Sequence, residues 1–210
     1  IMGFTGTAYV NNEYFNDVIY RYSLRQAIDD KIVKSVDYVQ KDDSSNKLYE
    51  KFQKIYHNHS KKKRQYSDIK PLTILITQDI KKAKGLQEDL IDFLMEWEKL
   101  NREEIEKKVL VVTSHKDHRS NVVQLEYVDD KDNPIEWIIS VSMLTEGWDV
   151  KNVFQIVPWQ DRAFNSKLLI AQVLGRGLRL PIGHENPQPS VIVFNHDSWS
   201  RNIKNLVDEV

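Results

Sequence analysis

The stretch LTILIT (Leu72–Thr77) decides the fold class of this 210-residue chain, because it is short, apolar and rich in β-branched residues. Such a run is typical of a strand that is buried on both faces of a parallel sheet. The residues after it carry apolar side chains at helical spacing, which predicts a covering helix over residues 79–100. The apolar positions of this helix are Ala83, Leu86, Leu90, Phe93, Leu94, Trp97 and Leu100.

Strands and helices continue to alternate after this helix. The sequence predicts further strands at residues 108–114, 136–142, 152–158 and 190–195, and helices at residues 166–178 and 198–210. Strands separated by helices form a mostly parallel sheet, with right-handed crossovers and helices on both faces. Such sheets bind ligands beyond the carboxyl ends of their strands. The turn Met143–Asp149 follows the strand predicted at residues 136–142, so we expect it at that edge.

The part of the chain before Pro71 has a different character. Residues 14–40 mix aromatic and charged side chains and are partly helical in pattern, whereas residues 41–64 carry eight Lys or Arg against three Asp or Glu. A charge run of this kind is either a solvated loop or frayed helix, or a contact for a phosphate backbone. We therefore expect a charged insertion or linker here.

The composition excludes several classes of protein. No apolar run approaches the ~18 residues of a membrane-spanning helix, so no membrane contact is expected. The amino-terminal residues lack a signal-peptide pattern, and the absence of cysteine fits a cytoplasmic protein without disulfides or thiolate metal sites. No metal site is expected, because the histidines have neither cysteine nor a carboxylate pattern nearby. A net charge of −1 gives no global sign of nucleic-acid binding.

The stretch QVLGRGLR (Gln172–Arg179) ends the helix predicted at residues 166–178. Arg176 and Arg179 are three residues apart and therefore share a helix face, and Gly175 and Gly177, on either side of Arg176, allow another surface to approach closely. Two fixed guanidiniums suit a dense anion such as a triphosphate. Alternatively, they are cations that complement the macrodipole at a helix C-terminus.

Two other stretches are also compatible with either a ligand-binding role or a purely structural role. Residues 140–153 form a strand with small polar residues and then Glu146-Gly147-Trp148-Asp149, which puts a carboxylate just after a glycine turn. This carboxylate accepts a hydrogen bond from a ribose hydroxyl, orients the arginines, or only caps the turn. Thr5-Gly6-Thr7 follows apolar residues near the start of the chain, and an ordinary Thr/Gly turn has the same pattern.

The order and spacing of these three stretches resemble the superfamily 2 helicase and translocase family. Thr5-Gly6-Thr7 resembles its motif III, Leu144–Asp149 its motif V with the Gly-x-Asp ending, and Gln172–Arg179 its motif VI, Gln-x-x-Gly-Arg-x-x-Arg. Residues 72–79 lie where motif IV belongs, and motifs V and VI are also similar to those of the bacterial excision-repair ATPase. Over residues 11–34, 133–158 and 172–181 the chain resembles the restriction (Res) subunit of type III restriction enzymes.

The resemblance implies a RecA-like α/β fold, a mostly parallel sheet with helices on both faces. Residues 1–40 would be the end of a first RecA-like domain and a connector, residues 41–70 the charged insertion, and residues 71–210 a complete second RecA-like domain. The sequence contains no Walker A motif, and LEYVDD (125–130) is interpreted as a loop rather than a Walker B strand. The resemblance implies ATP with Mg²⁺ as the cofactor. Because the Walker motifs are absent from this sequence, Mg²⁺ would be held mainly by the first domain, and this chain alone is expected to be inactive.

The resemblance also assigns roles to residues of this sequence. Arg179 would be the main arginine finger and Arg176 its partner, because a guanidinium stabilises charge in phosphoryl transfer, and Gln172 would orient the nucleotide or the attacking water. The implied cofactor-binding residues are Thr5, Thr7, Gly147, Asp149 and Gly175. The implied contacts to a nucleic-acid backbone, each equally explained by strand-end capping, are Thr77, Gln78, Thr113, Ser114, Ser142 and Thr145.

The expected partners are double-stranded DNA, the N-terminal RecA-like domain of the same protein and a DNA methyltransferase (Mod) subunit. The full-length protein would be an ATP-dependent DNA translocase or helicase and a subunit of an endonuclease. Two alternatives stay open, namely a repair or RNA-remodelling helicase outside restriction and a non-catalytic nucleic-acid-binding module.

Overall fold

The computed structural model describes residues 9–10, 13–14, 20, 22–39, 47–77, 79–113, 119–141, 149–159, 173–184 and 186–194. The strands in this part of the chain are β1 (Tyr9–Val10), β2 (Glu13–Tyr14), β3 (Ser35–Val39), β4 (Leu72–Thr77), β5 (Val109–Val112), β6 (Trp137–Val141), β7 (Val153–Pro158) and β8 (Ser190–Phe194). The helices are α1 (Leu24–Asp29), α2 (Leu48–Gln65), α3 (Ile80–Glu98), α4 (Arg102–Glu106), α5 (Arg119–Gln124) and α6 (173–177).

The centre of the fold is a six-stranded sheet in the order β3-β8-β7-β4-β6-β5, in which every pair of neighbours is parallel. β1 and β2 form a separate antiparallel pair. The parallel sheet confirms the predicted fold class. The strands expected after Pro71 are also confirmed, since β4 to β8 all fall within the predicted ranges.

The two faces of the sheet bury two separate apolar clusters. Along β4, Leu72, Ile74 and Ile76 belong to one cluster and Leu75 to the other, as the two-residue period of a strand requires. Helices α2 and α3 cover the second cluster, whereas α6 and the turn near Val128 cover the first. Helices therefore lie on both faces, as predicted.

Helix α3 illustrates why these elements form where they do. It begins after Asp79, whose side chain accepts a hydrogen bond from the Lys82 amide at 2.8 Å, and it ends at Lys99, which adopts a left-handed conformation with φ of 59°. The apolar positions expected from the sequence are buried, except that Trp97 keeps 42% of its surface exposed and Leu100, which lies beyond the end of the helix, is partly buried. Trp97 packs instead against aromatic rings of α2 and α3.

The charged stretch before Pro71 differs from the expectation. Residues 48–65 form the 18-residue helix α2, which lies on the sheet and buries Phe52, Ile55 and His59. The sequence interpretation relied on charge composition, because the buried apolar positions of this helix are few and lie among lysines. The assignment of residues 41–70 as an insertion or linker between domains stays a prediction. Lys51 and Lys62 are themselves buried, so their aliphatic stems serve as apolar surface.

Strand β3 was also not expected. It pairs in parallel with β8, from Ser35 opposite Ser190 to Val39 opposite Phe194, and so forms one edge of the main sheet. It lies within residues 1–40, which the sequence assigned to another domain and a connector. The position of the domain boundaries stays a prediction. Within the described residues no helix combines the length and apolar character that crossing a bilayer requires.

Candidate functional site

Two of the predicted site residues meet in an ion pair. Nη1 of Arg179 lies 2.8 Å from Oδ1 of Asp149, and the side chains are 38% and 67% exposed. Arg176 lies beside them. Partial burial lowers the pKa of Arg176, the charge of Arg179 lowers it further, and the charge of Asp149 raises it. The structure therefore joins two guanidiniums and one carboxylate from separate segments of the chain.

This group, which we call the arginine–aspartate cluster (Asp149, Arg176 and Arg179), lies at the amino-terminal edge of the sheet. The segment that contains Asp149 leads directly into β7, and the Asn152 carbonyl accepts a hydrogen bond of 2.7 Å from the Leu72 amide at the start of β4. The sequence placed Asp149 at the opposite, carboxyl edge, and that expectation was wrong. In a parallel sheet the connection after β6 must return to the amino edge, and Asp149 belongs to the end of that connection.

The segment after Asp149 is fixed by Asp129, which lies in the stretch interpreted as a loop rather than a Walker B strand. That stretch is a short 3-10 helix at Leu125–Tyr127 followed by a turn, as the loop interpretation predicted. The Asp129 carboxylate accepts hydrogen bonds from the amides of Lys151 at 2.7 Å and Asn152 at 3.0 Å. Asp129 therefore has a structural role in holding the strand entrance beside Asp149.

The two glycines beside Arg176 have different surroundings. A Cβ atom on Gly175 would meet nothing within 4 Å, whereas a Cβ atom on Gly177 would overlap Cδ1 of Ile156 in β7. Gly177 therefore admits another surface, as expected, whereas the approach of another surface at Gly175 stays a prediction. The surface that Gly177 admits is the chain's own sheet, so this residue sets how closely α6 packs on β7.

Replacement of Gly177 by valine is expected to lower the free energy of unfolding by about 2–3 kcal/mol, because three added carbons would overpack the buried contact with Ile156. The matched variant Gly175→Val should change stability by less than about 0.5 kcal/mol, since valine and glycine differ little in helix propensity and the site is open. Equilibrium urea unfolding measures both. Equal losses would contradict the assignment of the two glycines.

Two of the predicted nucleic-acid contacts lie at the carboxyl edge of the sheet, opposite the arginine–aspartate cluster. Thr77 is the last residue of β4, and Thr113 follows the last residue of β5. Both side chains are only 1% exposed, and the Thr77 hydroxyl is 3.4 Å from the Asp79 carbonyl, which it faces as a donor. A phosphate contact by these residues stays a prediction.

The other predicted site residues lie outside the described residues. They are Thr5, Thr7, Gln78, Ser114, Ser142, Thr145, Gly147 and Gln172.

A second polar cluster was missed by the sequence interpretation. His59 of α2 is buried, with Nδ1 2.9 Å from Oγ1 of Thr73 and Nε2 2.9 Å from the carboxylate of Glu136. Lys63 donates to both oxygens of Glu136, each at 2.9 Å. The only signal was the stretch HNHSKKKR (57–64), which was interpreted by its charge. Within the described residues no group of His, Asp or Glu is placed to hold a metal ion.

Neither a protein-family model nor a curated protein matches this chain. Among solved structures, it is similar to a fragment assigned as the HsdR subunit of a type I restriction enzyme from Vibrio vulnificus YJ016. The TM-score is 0.64 and the identity 18%, over 90% of this chain and 37% of that one.

Two further structures are similar over most of this chain. S. cerevisiae Dbp5 bound to RNA and ADP BeF3 has a TM-score of 0.51 and 14% identity, over 85% of this chain and 39% of that one. The ATP-dependent type ISP restriction-modification enzyme LlaBIII bound to DNA has a TM-score of 0.51 and 15% identity, over 91% of this chain and 15% of that one. The chain thus spans well under half the length of each. Together with the parallel six-stranded sheet, these likenesses show that the chain has a RecA-like α/β fold.

Proposed function

We propose that this chain is the second motor domain of an ATP-dependent DNA translocase or helicase, and that it belongs to a type III restriction Res subunit. The observation that carries the proposal is the contact of Arg179 with Asp149, with Arg176 alongside. These residues come from the two stretches that resemble motifs V and VI. The fold likeness to restriction-enzyme structures, one of them bound to DNA, supports the same proposal.

The residues present fit a polyphosphate. Arg176 and Arg179 repel each other, as the effect of Arg179 on the pKa of Arg176 indicates, and Asp149 opposes this effect while it pairs with Arg179. Bound phosphate oxygens would relieve this repulsion, and guanidiniums match their geometry. Asp149 is more than half exposed, so it is accessible to a ribose hydroxyl as well as to Arg179.

ATP bound here would supply the phosphoryl group, and the chain's own residues would orient and stabilise it. Arg179 would face the γ-phosphate and stabilise the charge that develops during transfer, with Arg176 as its partner. The contact with Asp149 holds the Arg179 guanidinium in one orientation before ATP arrives, which reduces the reorganisation needed in the reaction. Mg²⁺ and the Walker A contacts would come from the first motor domain.

The two edges of the sheet would then have separate tasks. The arginine–aspartate cluster lies at the amino edge, where it would face the first motor domain. Thr77 ends β4 and Thr113 follows β5 at the carboxyl edge, where backbone groups of the adjoining loops would contact the DNA backbone. The Mod subunit would then supply sequence recognition.

A second candidate is an RNA-remodelling helicase, which the likeness to RNA-bound Dbp5 favours. One experiment separates the candidates. ATP hydrolysis by the full-length protein is measured alone, with double-stranded DNA and with single-stranded RNA. We expect stimulation by DNA and none by RNA, and no hydrolysis by the 210-residue chain alone. Stimulation by RNA only would favour the second candidate, and no hydrolysis in any mixture would refute both.

A further inference from the structure

A buried lysine lies directly behind the arginine–aspartate cluster. Lys34, the residue before β3, is fully buried, with 0% of its surface exposed. Its ammonium donates hydrogen bonds to the carbonyls of Lys151 at 2.6 Å, of Gly177 at 3.2 Å and of Arg179. Its backbone amide donates to the carbonyl of Leu178 at 2.8 Å. The three protons of the ammonium are therefore matched by three backbone acceptors.

These acceptors belong to the two segments that form the cluster. Gly177 is the last residue of α6, and Leu178 and Arg179 follow it directly, where a helix leaves carbonyl groups without partners inside the helix. Lys151 lies two residues after Asp149, in the segment that enters β7. A cation at a helix C-terminus is also favoured by the helix macrodipole. A single side chain thus joins the backbone that carries Arg179 to the backbone that carries Asp149.

Burial of an ammonium group has an unfavourable desolvation free energy, so stability alone does not explain a lysine at this position. Burial lowers the pKa of Lys34 to about 7, an effect that Lys62 increases and Asp129 opposes. An apolar side chain would avoid the desolvation of the ammonium. The ammonium does, however, fix two backbone segments at once, and misplacement of a reacting group by about 1 Å costs on the order of 10²-fold in rate.

We propose that Lys34 is a positioning residue for the arginine–aspartate cluster, and that it sets the geometry of Arg179 by tying the end of α6 to the segment after Asp149. This proposal rests on the proposed function of the cluster. Lys34 does not touch the nucleotide. Without it, the two segments move independently, so that ATP hydrolysis slows while nucleotide binding persists.

The charge on Lys34 gives this role a pH dependence. Only the ammonium can donate to three carbonyls at once, so the rate of hydrolysis should fall as the pH rises through the Lys34 pKa of about 7. The charged groups that act on Lys34 are Asp129, before β6, and Lys62, on α2, whereas Lys151 and Arg179 contact it through their backbone carbonyls. Burial also lowers the pKa of Lys62, an effect that the charge of Asp37 opposes.

The test compares Lys34→Met with Lys62→Met in the full-length protein. Lys62 is a matched control, because it is also buried and donates to the carbonyl and hydroxyl of Ser190, at 2.9 and 2.8 Å, rather than to the joined segments. We expect kcat for DNA-stimulated ATP hydrolysis to fall about 10- to 100-fold in Lys34→Met, with KM nearly unchanged and the alkaline decline removed. Lys62→Met should keep the rate at neutral pH and should keep an alkaline decline, which moves to higher pH because the charge of Lys62 lowers the pKa of Lys34. Lys34→Gln, which retains two donors, serves if Lys34→Met does not fold.

Amide hydrogen exchange, measured by mass spectrometry on the same proteins, gives a readout that does not depend on hydrolysis. Residues 149–152 and 177–180 should exchange faster in the Lys34 variants and not in Lys62→Met. Unchanged exchange, a wild-type kcat and pH profile, or an equal loss of rate in Lys62→Met would each overturn the proposal. If exchange rises as expected but the wild-type protein does not hydrolyse ATP, the proposed function fails and the structural tie by Lys34 stands.

Discussion

Replacing Arg179 by alanine is expected to lower DNA-stimulated ATP hydrolysis by the full-length protein about 10³-fold or more, while ATP binding persists. The reason is that the Arg179 guanidinium, held by Asp149 at 2.8 Å, would stabilise charge that exists fully only in the transition state. Turnover is measured by phosphate release, and binding by displacement of a fluorescent nucleotide.

Two further variants define what the arginine supplies. Arg179→Lys should restore little of the rate, because an ammonium is a point charge and lacks the planar fork of a guanidinium. Arg102→Ala should leave turnover unchanged, although Arg102 on α4 also pairs with carboxylates, including Glu106 at 2.7 Å. If turnover survives in Arg179→Ala, the two arginines are cations at a helix end and the proposed motor function is refuted.

Acidification should remove about 3 kcal/mol of folding free energy through Glu136 alone. Burial raises the pKa of this carboxyl, but hydrogen bonds and charge from His59 and Lys63 outweigh burial and lower the pKa from 4.5 to about 2. His59 is itself buried, which lowers its pKa, and its contact with the Glu136 carboxylate opposes this effect. The unfolded state therefore takes up the proton first as the pH falls.

The sign of the effect follows from this order of protonation. The stabilisation is complete above pH 4.5 and is lost as the pH falls to about 2, and a difference of roughly 2.5 pKa units corresponds to about 3 kcal/mol. Glu136→Gln should be less stable at neutral pH by about 2–3 kcal/mol and should lack this acid dependence. Urea unfolding at several pH values between 2 and 7 measures both effects.

Glu103→Gln is the matched control for this prediction. Glu103 also accepts from a lysine, Lys107 at 2.9 Å, and this contact lowers its pKa, but the pair is exposed on α4. Exposed ion pairs contribute little because water and salt screen them, so this variant should behave like the wild type. If Glu136→Gln and Glu103→Gln gave the same pH profile, the buried cluster around Glu136 would not determine acid stability.

The strands were predictable from the sequence because their burial leaves a local signal. LTILIT and the later apolar runs predict buried parallel strands, and each of these strands lies in the sheet. The sequence left three roles open for the Asp149 carboxylate, and contact with the arginines was one of them. The family resemblance favours this contact, because it implies that the two motifs meet. Local patterns could not decide among these alternatives, because the contact depends on how the chain returns to β7.

The remaining features depend on contacts between distant residues. Helix α2 was hidden because its buried positions include His59 and Lys62, which count as polar in any local pattern. Lys34 had no sequence signal, since its role comes from carbonyl groups of residues 151, 177 and 179. The difference between Gly175 and Gly177 likewise depends on which of them faces Ile156.

The pairing of β3 with β8 has a consequence for how the chain is made on the ribosome. Ser35 lies opposite Ser190, so β3 leaves the ribosome long before its partner exists, on the order of 10 s earlier at ordinary rates of synthesis. During that interval the strand next to Lys34 has an unpaired edge, and the carbonyls that will receive its ammonium have not all been synthesised. Translation therefore leaves this edge unpaired until β8 has been synthesised, so a nascent chain that terminates before Ser190 cannot close it.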